Sequence, residues 1–150
     1  MIPLIFILIL FSFLQEAFLP FNLVLLILVS RSFVVTEKEN YYLAFIFGLV
    51  LSFLAGYPLG SLSIIYLIIV LVIHIFRRFQ FVTHPLILIP VAAVSLLADQ
   101  LARALMLGSN INLGQIPVQI ILIIPIYFMV LLWEERFIVH KDIKLKVNSK

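Results

Sequence analysis

The sequence predicts an all-α integral membrane protein, a compact bundle of six transmembrane helices with both termini in the cytoplasm. The first observation behind this prediction is composition: 65% of the 150 residues are hydrophobic and 11% are charged. Soluble domains have about 45–50% apolar and about 25% charged residues. A soluble fold of this length cannot bury so many apolar side chains, so the bilayer must be the solvent. The formal charge of +3 is too small to indicate a nucleic-acid partner.

The second observation is a series of six apolar runs separated by polar or turn-forming residues. Crossing about 30 Å of hydrocarbon takes about 20 helical residues, and shorter spans are tolerated when interfacial groups flank them. The predicted segments are 2–18, 21–35, 41–55, 59–76, 85–107 and 116–133. Residues 1–133 are therefore assigned to a transmembrane domain and residues 134–150 to a basic cytoplasmic tail.

The third observation is the distribution of positive charge. With the N-terminus inside, every one of the ten Lys and Arg residues except Arg103 lies at the cytoplasmic side or in the tail. Basic residues resist export, so this bias sets the orientation. A five-span alternative would separate the tail from Arg77 and Arg78. Arg31, near the end of the second segment, is expected to extend its side chain to the cytoplasmic interface.

The break between the third and fourth segments is the sequence Gly-Tyr-Pro-Leu-Gly at residues 56–60. Pro58 lacks an amide hydrogen, and Gly56 and Gly60 tolerate backbone conformations that other residues resist. This combination predicts a tight, uncharged hairpin between two helices. A glycine-mediated helix dimer would need a continuous helix here, and a phosphate loop would need a Lys-Ser/Thr pair after the second glycine.

Asp99 and Arg103 are the informative ionisable pair. Each charged group at membrane depth costs about 2.5–3.5 kcal/mol even on lenient insertion scales. Four residues apart on a helix, the two side chains share one face with the acid before the base. Two interpretations remain open at this point. The pair is a polar contact site in the outer half of the membrane, or it is a structural ion pair in which Arg103 reaches the outer surface.

Patterns that indicate chemistry are missing from the sequence. There is no cysteine, the three histidines do not have metal-ligand spacing with a carboxylate, and no serine lies in a Gly-x-Ser-x-Gly frame. We therefore predict no catalytic, metal-binding or cofactor-binding residue, no cofactor and no enzyme activity.

Four stretches of the chain resemble the rod shape-determining protein MreD family. They are residues 20–26 (PFNLVLL), 47–49 (FGL), 56–60 (GYPLG) and 95–99 (SLLAD), and the resemblance extends over nearly the whole chain. The 56–60 hairpin is its most specific part. One departure is Ser52, because the family often has an acidic residue a few positions before the hairpin.

This resemblance implies a non-enzymatic component of the bacterial cell-elongation (peptidoglycan synthesis) machinery in the cytoplasmic membrane. The implied partners are MreC, RodA, a class B penicillin-binding protein and, indirectly, MreB. The family's bundle is similar to the substrate-binding subunits of energy-coupling-factor vitamin transporters, which supplies an alternative function. Ala17 is the only small apolar residue in the first segment, which disfavours that alternative. The residues expected to make packing or partner contacts are Asn22, Gly48, Gly56, Pro58, Gly60, Asp99 and Arg103.

Overall fold

The computed structural model describes residues 2–18, 21–78, 85–108, 110 and 113–147. These residues form six α-helices and two short 3₁₀ turns, and the described part of the chain contains no strand. The helices are α1 (Ile2–Ala17), α2 (Leu23–Val34), α3 (Glu39–Leu54), α4 (Ser61–Arg78), α5 (Leu88–Leu107) and α6 (Ile116–Val147). The all-helical prediction is therefore confirmed.

Three of the helices are long and apolar enough to cross a membrane. They contain the spans Ser61–Arg78, Leu88–Leu105 and Ile116–Glu135. The other three, α1 to α3, are apolar but have only 12 to 16 residues. Every predicted segment coincides with a helix, within a few residues at each end except at the end of α6. The predicted loop residues 79–84, the turn residues 109, 111 and 112, and residues 148–150 lie outside the described residues.

The end of α6 differs from the prediction. We expected the last segment to end at Trp133, and the helix instead continues to Val147. The segment 134–147 contains neither proline nor glycine and includes several good helix formers, among them Glu, Lys and Leu. A helix that has already formed through the preceding apolar run extends through such residues at little cost, because each added residue only propagates it.

Helix α2 is the centre of the bundle. Its residues from Leu23 to Phe33 are all buried, polar ones included, and it packs against each of the other five helices. A helix that is hydrophobic all round belongs in the interior of a larger assembly. With 12 residues, α2 is about 18 Å long, much shorter than the roughly 30 Å of membrane hydrocarbon.

The other five helices form an open ring around α2. Packing runs from α1 to α3, then to α4, α5 and α6, and the described parts of α6 and α1 do not pack on each other. The ring therefore has one gap, between α1 and α6. Leu23 and Ile27 of α2 lie at the bottom of this gap.

The hairpin between α3 and α4 has the geometry that its glycines predict. The amide of Tyr57 donates to the carbonyl of Ser52 at 2.9 Å, and that of Gly56 donates to Phe53 at 3.3 Å. This pair of bonds is a Schellman motif, which needs a left-handed residue after the helix. Gly56 has φ +69° and Gly60 has φ +89°. The predicted tight turn is confirmed, and the break excludes the continuous helix that a dimerisation motif would need.

Helices α3 and α4 approach each other closely at Gly48. A Cβ atom at Gly48 would overlap the backbone of Ser63, so only glycine fits without a shift of the backbone. Two serine hydroxyls join the helices at this level. Ser63 donates to the carbonyl of Phe45 at 2.8 Å, and Ser52 accepts from the amide of Leu62 at 3.1 Å. Small residues and hydroxyl hydrogen bonds are the usual means by which membrane helices pack closely.

Candidate functional site

Polar side chains inside the bundle gather at the two ends of α2. We call the first group the N-cap network; it consists of Asn22, Tyr66, Asp99 and Arg103. We call the second group the Arg31 network; it consists of Arg31, Glu37, Glu39, Asn40 and Glu134. A polar cavity adjoins the first group.

Asn22 is the hub of the N-cap network. Its Oδ1 accepts from the amide of Leu25 at 3.3 Å, which caps the first turn of α2, and from the hydroxyl of Tyr66 at 2.9 Å. Its Nδ2 donates to Oδ2 of Asp99 at 2.8 Å. Its backbone amide contacts Oε1 of Gln119 at 3.4 Å. An asparagine at an N-cap satisfies amide groups that have no partner within the helix. Here the same side chain also links α2 to α4 and α5.

The Asp99 and Arg103 pair forms inside the bundle. Nε of Arg103 donates to Oδ2 of Asp99 at 3.0 Å, and Nη2 donates to the hydroxyl of Tyr66 at 3.1 Å. Asp99 is only 3% exposed. The pair therefore has the geometry of a structural ion pair, and whether it also serves as a polar contact site stays a prediction. The guanidinium of Arg103 is bonded to Tyr66 of α4 and does not extend free to the surface.

A polar cavity of about 500 Å³ lies beside the N-cap network. Asn22, Asp99 and Arg103 lie in its wall. The other polar side chains in the wall are Gln15, Glu16, Tyr57, Gln100, Asn110, Gln115 and Gln119. Oδ1 of Asp99 is buried and has no hydrogen-bond partner among the described residues. A buried carboxylate oxygen without a donor costs free energy, so this atom lowers the stability gained from the network.

The Arg31 network corrects one sequence prediction. We expected Arg31 to reach the membrane interface, and it is instead 2% exposed. Its Nε donates to Glu134 at 2.9 Å, and its guanidinium also bonds the side-chain oxygen of Asn40. Glu39 lies 3.5 Å from Nη2. The physical reason is that α2 is the central helix, so a side chain from its last turn meets α3 and α6 before it meets water or headgroups.

Other charged groups share this end of the bundle. Lys38 precedes α3, and Arg77 and Arg78 end α4. Tyr41 of α3 contacts His74 of α4, with 5.6 Å between ring centroids. The basic residues described at the helix ends therefore gather on one side of the bundle, whereas the N-cap network and the hairpin lie on the other.

The residues that the sequence singled out fall into two groups. Asn22, Asp99 and Arg103 come together at the N-terminus of α2. The other four belong to the α3–α4 hairpin: Gly48 at the helix contact, and Gly56, Pro58 and Gly60 in the turn. The two groups are adjacent, because Tyr57 of the turn lines the cavity next to Arg103.

Sequence reasoning missed several members of the networks. Tyr66, Gln119 and Asn40 were not named, although each makes a hydrogen bond between helices. Tyr66 and Gln119 are polar side chains within apolar runs, and a polar side chain in such a run is the sequence signal that indicates a hydrogen bond between helices. The sequence predicts a loop at residues 36–40, where a polar residue such as Asn40 is expected to contact water and gives no signal of a contact between helices.

No group of three or more His, Cys, Asp or Glu side chains among the described residues could hold a metal ion. No protein-family model matches the chain, and no curated protein or solved structure matches it either. The fold and the site define a helical bundle with three helices long and apolar enough to cross a membrane and with polar networks in its interior.

Proposed function

We propose that this protein is a non-enzymatic, multi-pass component of the bacterial cell-elongation machinery, similar to the MreD family, and that it docks MreC in the cytoplasmic membrane. RodA and a class B penicillin-binding protein would belong to the same assembly, and MreB would be connected to it indirectly. The observation that carries the proposal is the α3–α4 hairpin. Its turn, Gly56 to Gly60, contains the most specific residues of the resemblance.

The use of the interior polar groups supports a packing role. Asn22, Asp99 and Arg103 are engaged with one another and with Tyr66, so they hold α2, α4 and α5 in fixed positions. In membranes, such contacts and close van der Waals packing replace the hydrophobic driving force. A rigid bundle of this kind is suited to presenting a constant surface to partner proteins.

We further propose that all six helices cross the membrane and that both termini are cytoplasmic. The gathering of Arg31, Lys38, Arg77 and Arg78 at one end of the bundle agrees with the charge bias expected of a cytoplasmic side. The short helices α1 to α3 would cross with the help of polar residues at their ends, or in a locally thinned bilayer.

The docking proposal is tested by affinity purification of the tagged full-length chain from its native cell. Phe53, exposed on α3 beside the hairpin, is replaced in the variant Phe53→Ala. The matched control is Phe6→Ala on α1, which removes an equally exposed ring far from the hairpin. We expect the wild type and the control to recover MreC. The Phe53 variant should recover about tenfold less, as for the loss of one contact residue.

A failure to recover any wall-synthesis protein with the wild type would overturn the proposed function. Equal recovery by both variants would place the docking surface away from the hairpin.

The polar cavity favours a second candidate, the substrate-binding subunit of an energy-coupling-factor vitamin transporter. Its volume of about 500 Å³ is within the range of small-molecule sites. The same purification distinguishes the two functions, because a transporter subunit would bring paired ATPases and a bound vitamin.

A further inference from the structure

The gap in the helix ring contains an apolar groove. Leu4, Ile7 and Leu14 of α1 form one wall, Leu122 and Ile126 of α6 form the other, and its volume is about 330 Å³. The stretch from Leu4 to Leu14 covers eleven residues, and its ten helical rises amount to about 15 Å along the axis of α1. The groove therefore has the length of a large part of one lipid chain in a single leaflet.

The groove and the polar cavity are neighbours, and they share the side chain of Phe21. On α1 the lining changes from Leu14 in the groove to Gln15 and Glu16 in the cavity. The same change occurs on the other two helices: Leu23 follows Asn22 on α2, and Leu122 lies one turn from Gln119 on α6. Three helices thus change from apolar to polar lining at one level. A ligand that matches such a lining is an amphiphile, with an apolar chain and a polar headgroup.

The charges of the cavity indicate which headgroup it takes. Among the described residues, its ionisable carboxylates and guanidinium are Glu16, Asp99 and Arg103, a formal balance of one excess negative charge. Arg103 is already engaged with Asp99 and Tyr66. Oδ1 of Asp99, by contrast, is buried without a donor among the described residues. That oxygen is closed off from the cavity, so the exposed carboxylate of Glu16 and the excess negative charge are what favour a cation with N–H groups.

We propose that the gap between α1 and α6 binds a membrane lipid with a primary ammonium headgroup. One hydrocarbon chain lies in the groove, and the ammonium group donates to the exposed carboxylate of Glu16. Amide side chains of the wall, such as Gln115, donate to the phosphate oxygens. The short α2 makes this possible, because its N-cap residue Asn22 ends at the wall of the cavity. The site does not depend on the docking function.

The first test needs no variant and uses the full-length chain. The protein is purified in a mild detergent, mixed with equal amounts of dioleoyl lipids, and analysed for retained lipid by native mass spectrometry. The lipids are phosphatidylethanolamine, its N,N-dimethyl derivative, phosphatidylcholine and phosphatidylglycerol. We expect retention to fall stepwise as methyl groups replace the N–H donors. Phosphatidylcholine should be retained about tenfold less than phosphatidylethanolamine, as for the loss of one charge-assisted hydrogen bond.

The second test blocks the groove. Leu14→Trp places a larger ring at the junction of groove and cavity, where the wild-type side chain is partly exposed. The matched control is Leu10→Trp, one turn earlier on α1, where the side chain is 63% exposed and lies outside the groove. Leu14→Trp should lower retention of phosphatidylethanolamine by about tenfold or more, and Leu10→Trp should leave it unchanged.

Three results would overturn the proposal. These are equal retention of all four lipids, a preference for phosphatidylglycerol, and equal behaviour of the two tryptophan variants. The last result is also the one expected if the groove binds a helix of a partner protein, because Leu14→Trp would then leave lipid retention unchanged.

Discussion

Each end of α2 is held by an arginine, Arg103 with a side chain 17% exposed and Arg31 with one 2% exposed, and the two ends differ in where the matching carboxylates lie. At the N-terminus, Arg103 pairs with Asp99, whose side chain is 4% exposed. At the C-terminus, Arg31 faces Glu37 and Glu39, which are 44% and 42% exposed, and Glu134, which is 13% exposed. One end is a closed pair, and the other is a buried cation whose anions extend toward water.

This difference determines how much free energy of unfolding is lost when one partner is removed at each end. When one member of a buried pair is removed, the other charge stays in a medium that cannot solvate it, and the loss reaches about 3–5 kcal/mol. Carboxylates that are partly exposed can instead turn into solvent. The N-cap network is therefore expected to govern the stability of the bundle more strongly than the Arg31 network does.

The largest effect is expected for Asp99→Leu. This change removes the acceptor of both Asn22 and Arg103 and leaves the guanidinium without its carboxylate, so we expect a loss of about 3–5 kcal/mol. Unfolding in mixed micelles, followed by circular dichroism, measures the change. The control is Leu105→Ala, at an exposed position of the same helix, where about 0.5 kcal/mol or less is expected. Equal losses for the two variants would contradict the claim that the N-cap network stabilises the bundle.

A smaller effect is expected for Arg31→Leu. The change removes the hydrogen bonds of the guanidinium to Asn40 and Glu134. Because the donor is charged, the expected loss in the free energy of unfolding is about 1.5–3 kcal/mol. Glu37 and Glu39 are partly exposed, so solvent can hydrate their carboxylates after the change. The same unfolding measurement applies, and Arg31→Lys, which keeps the charge, should recover part of the loss. A larger loss for Arg31→Leu than for Asp99→Leu would reverse the comparison.

Tyr66→Phe isolates one contact of the N-cap network. The hydroxyl of Tyr66 donates to Asn22 and accepts from Arg103, so its removal is expected to cost about 0.5–1.5 kcal/mol. Tyr42→Phe, at an exposed position of α3, is the control and should be neutral. A neutral result for Tyr66→Phe would mean that water replaces the hydroxyl in the adjoining cavity.

The smallest expected effect is a difference in salt dependence. Exposed charges are screened beyond a Debye length of about 10 Å at 0.1 M salt, and buried pairs are screened much less. The cost of Arg31→Leu should therefore shrink as salt is raised in the unfolding experiment, whereas that of Asp99→Leu should not. Parallel salt dependences would indicate that both networks have the same access to solvent.

Local features of the bundle could be predicted from the sequence. The Gly56–Gly60 turn follows from residues that are neighbours in the chain, and the Asp99–Arg103 pair follows from one helical turn of spacing. The six helices follow from apolar runs bounded by polar residues. Each of these features depends on contacts within a few residues, so no knowledge of the packing was needed.

Features that depend on the packing could not be predicted. Asn22 bonds Asp99 from 77 positions away, and Arg31 bonds Glu134 from 103 positions away. Both contacts exist because α2 is the central helix, and composition does not reveal that position, because α1 and α3 are more apolar than α2. The expectation that Arg31 lies at the interface is wrong for the same reason. A basic residue at a helix end reaches the headgroups only when its helix lies on the outside of the bundle, and α2 lies at the centre.

Whether the short helices cross the membrane is tested most directly at α3. The chain has no cysteine, so the variants Lys38→Cys and Leu59→Cys each carry a single label site, one at either end of α3 and both exposed. In cells with an accessible cytoplasmic membrane, a membrane-impermeant maleimide should label Leu59→Cys directly and Lys38→Cys only after permeabilisation. Labelling of both variants from the same side would contradict the account, because α3 would then not cross the membrane.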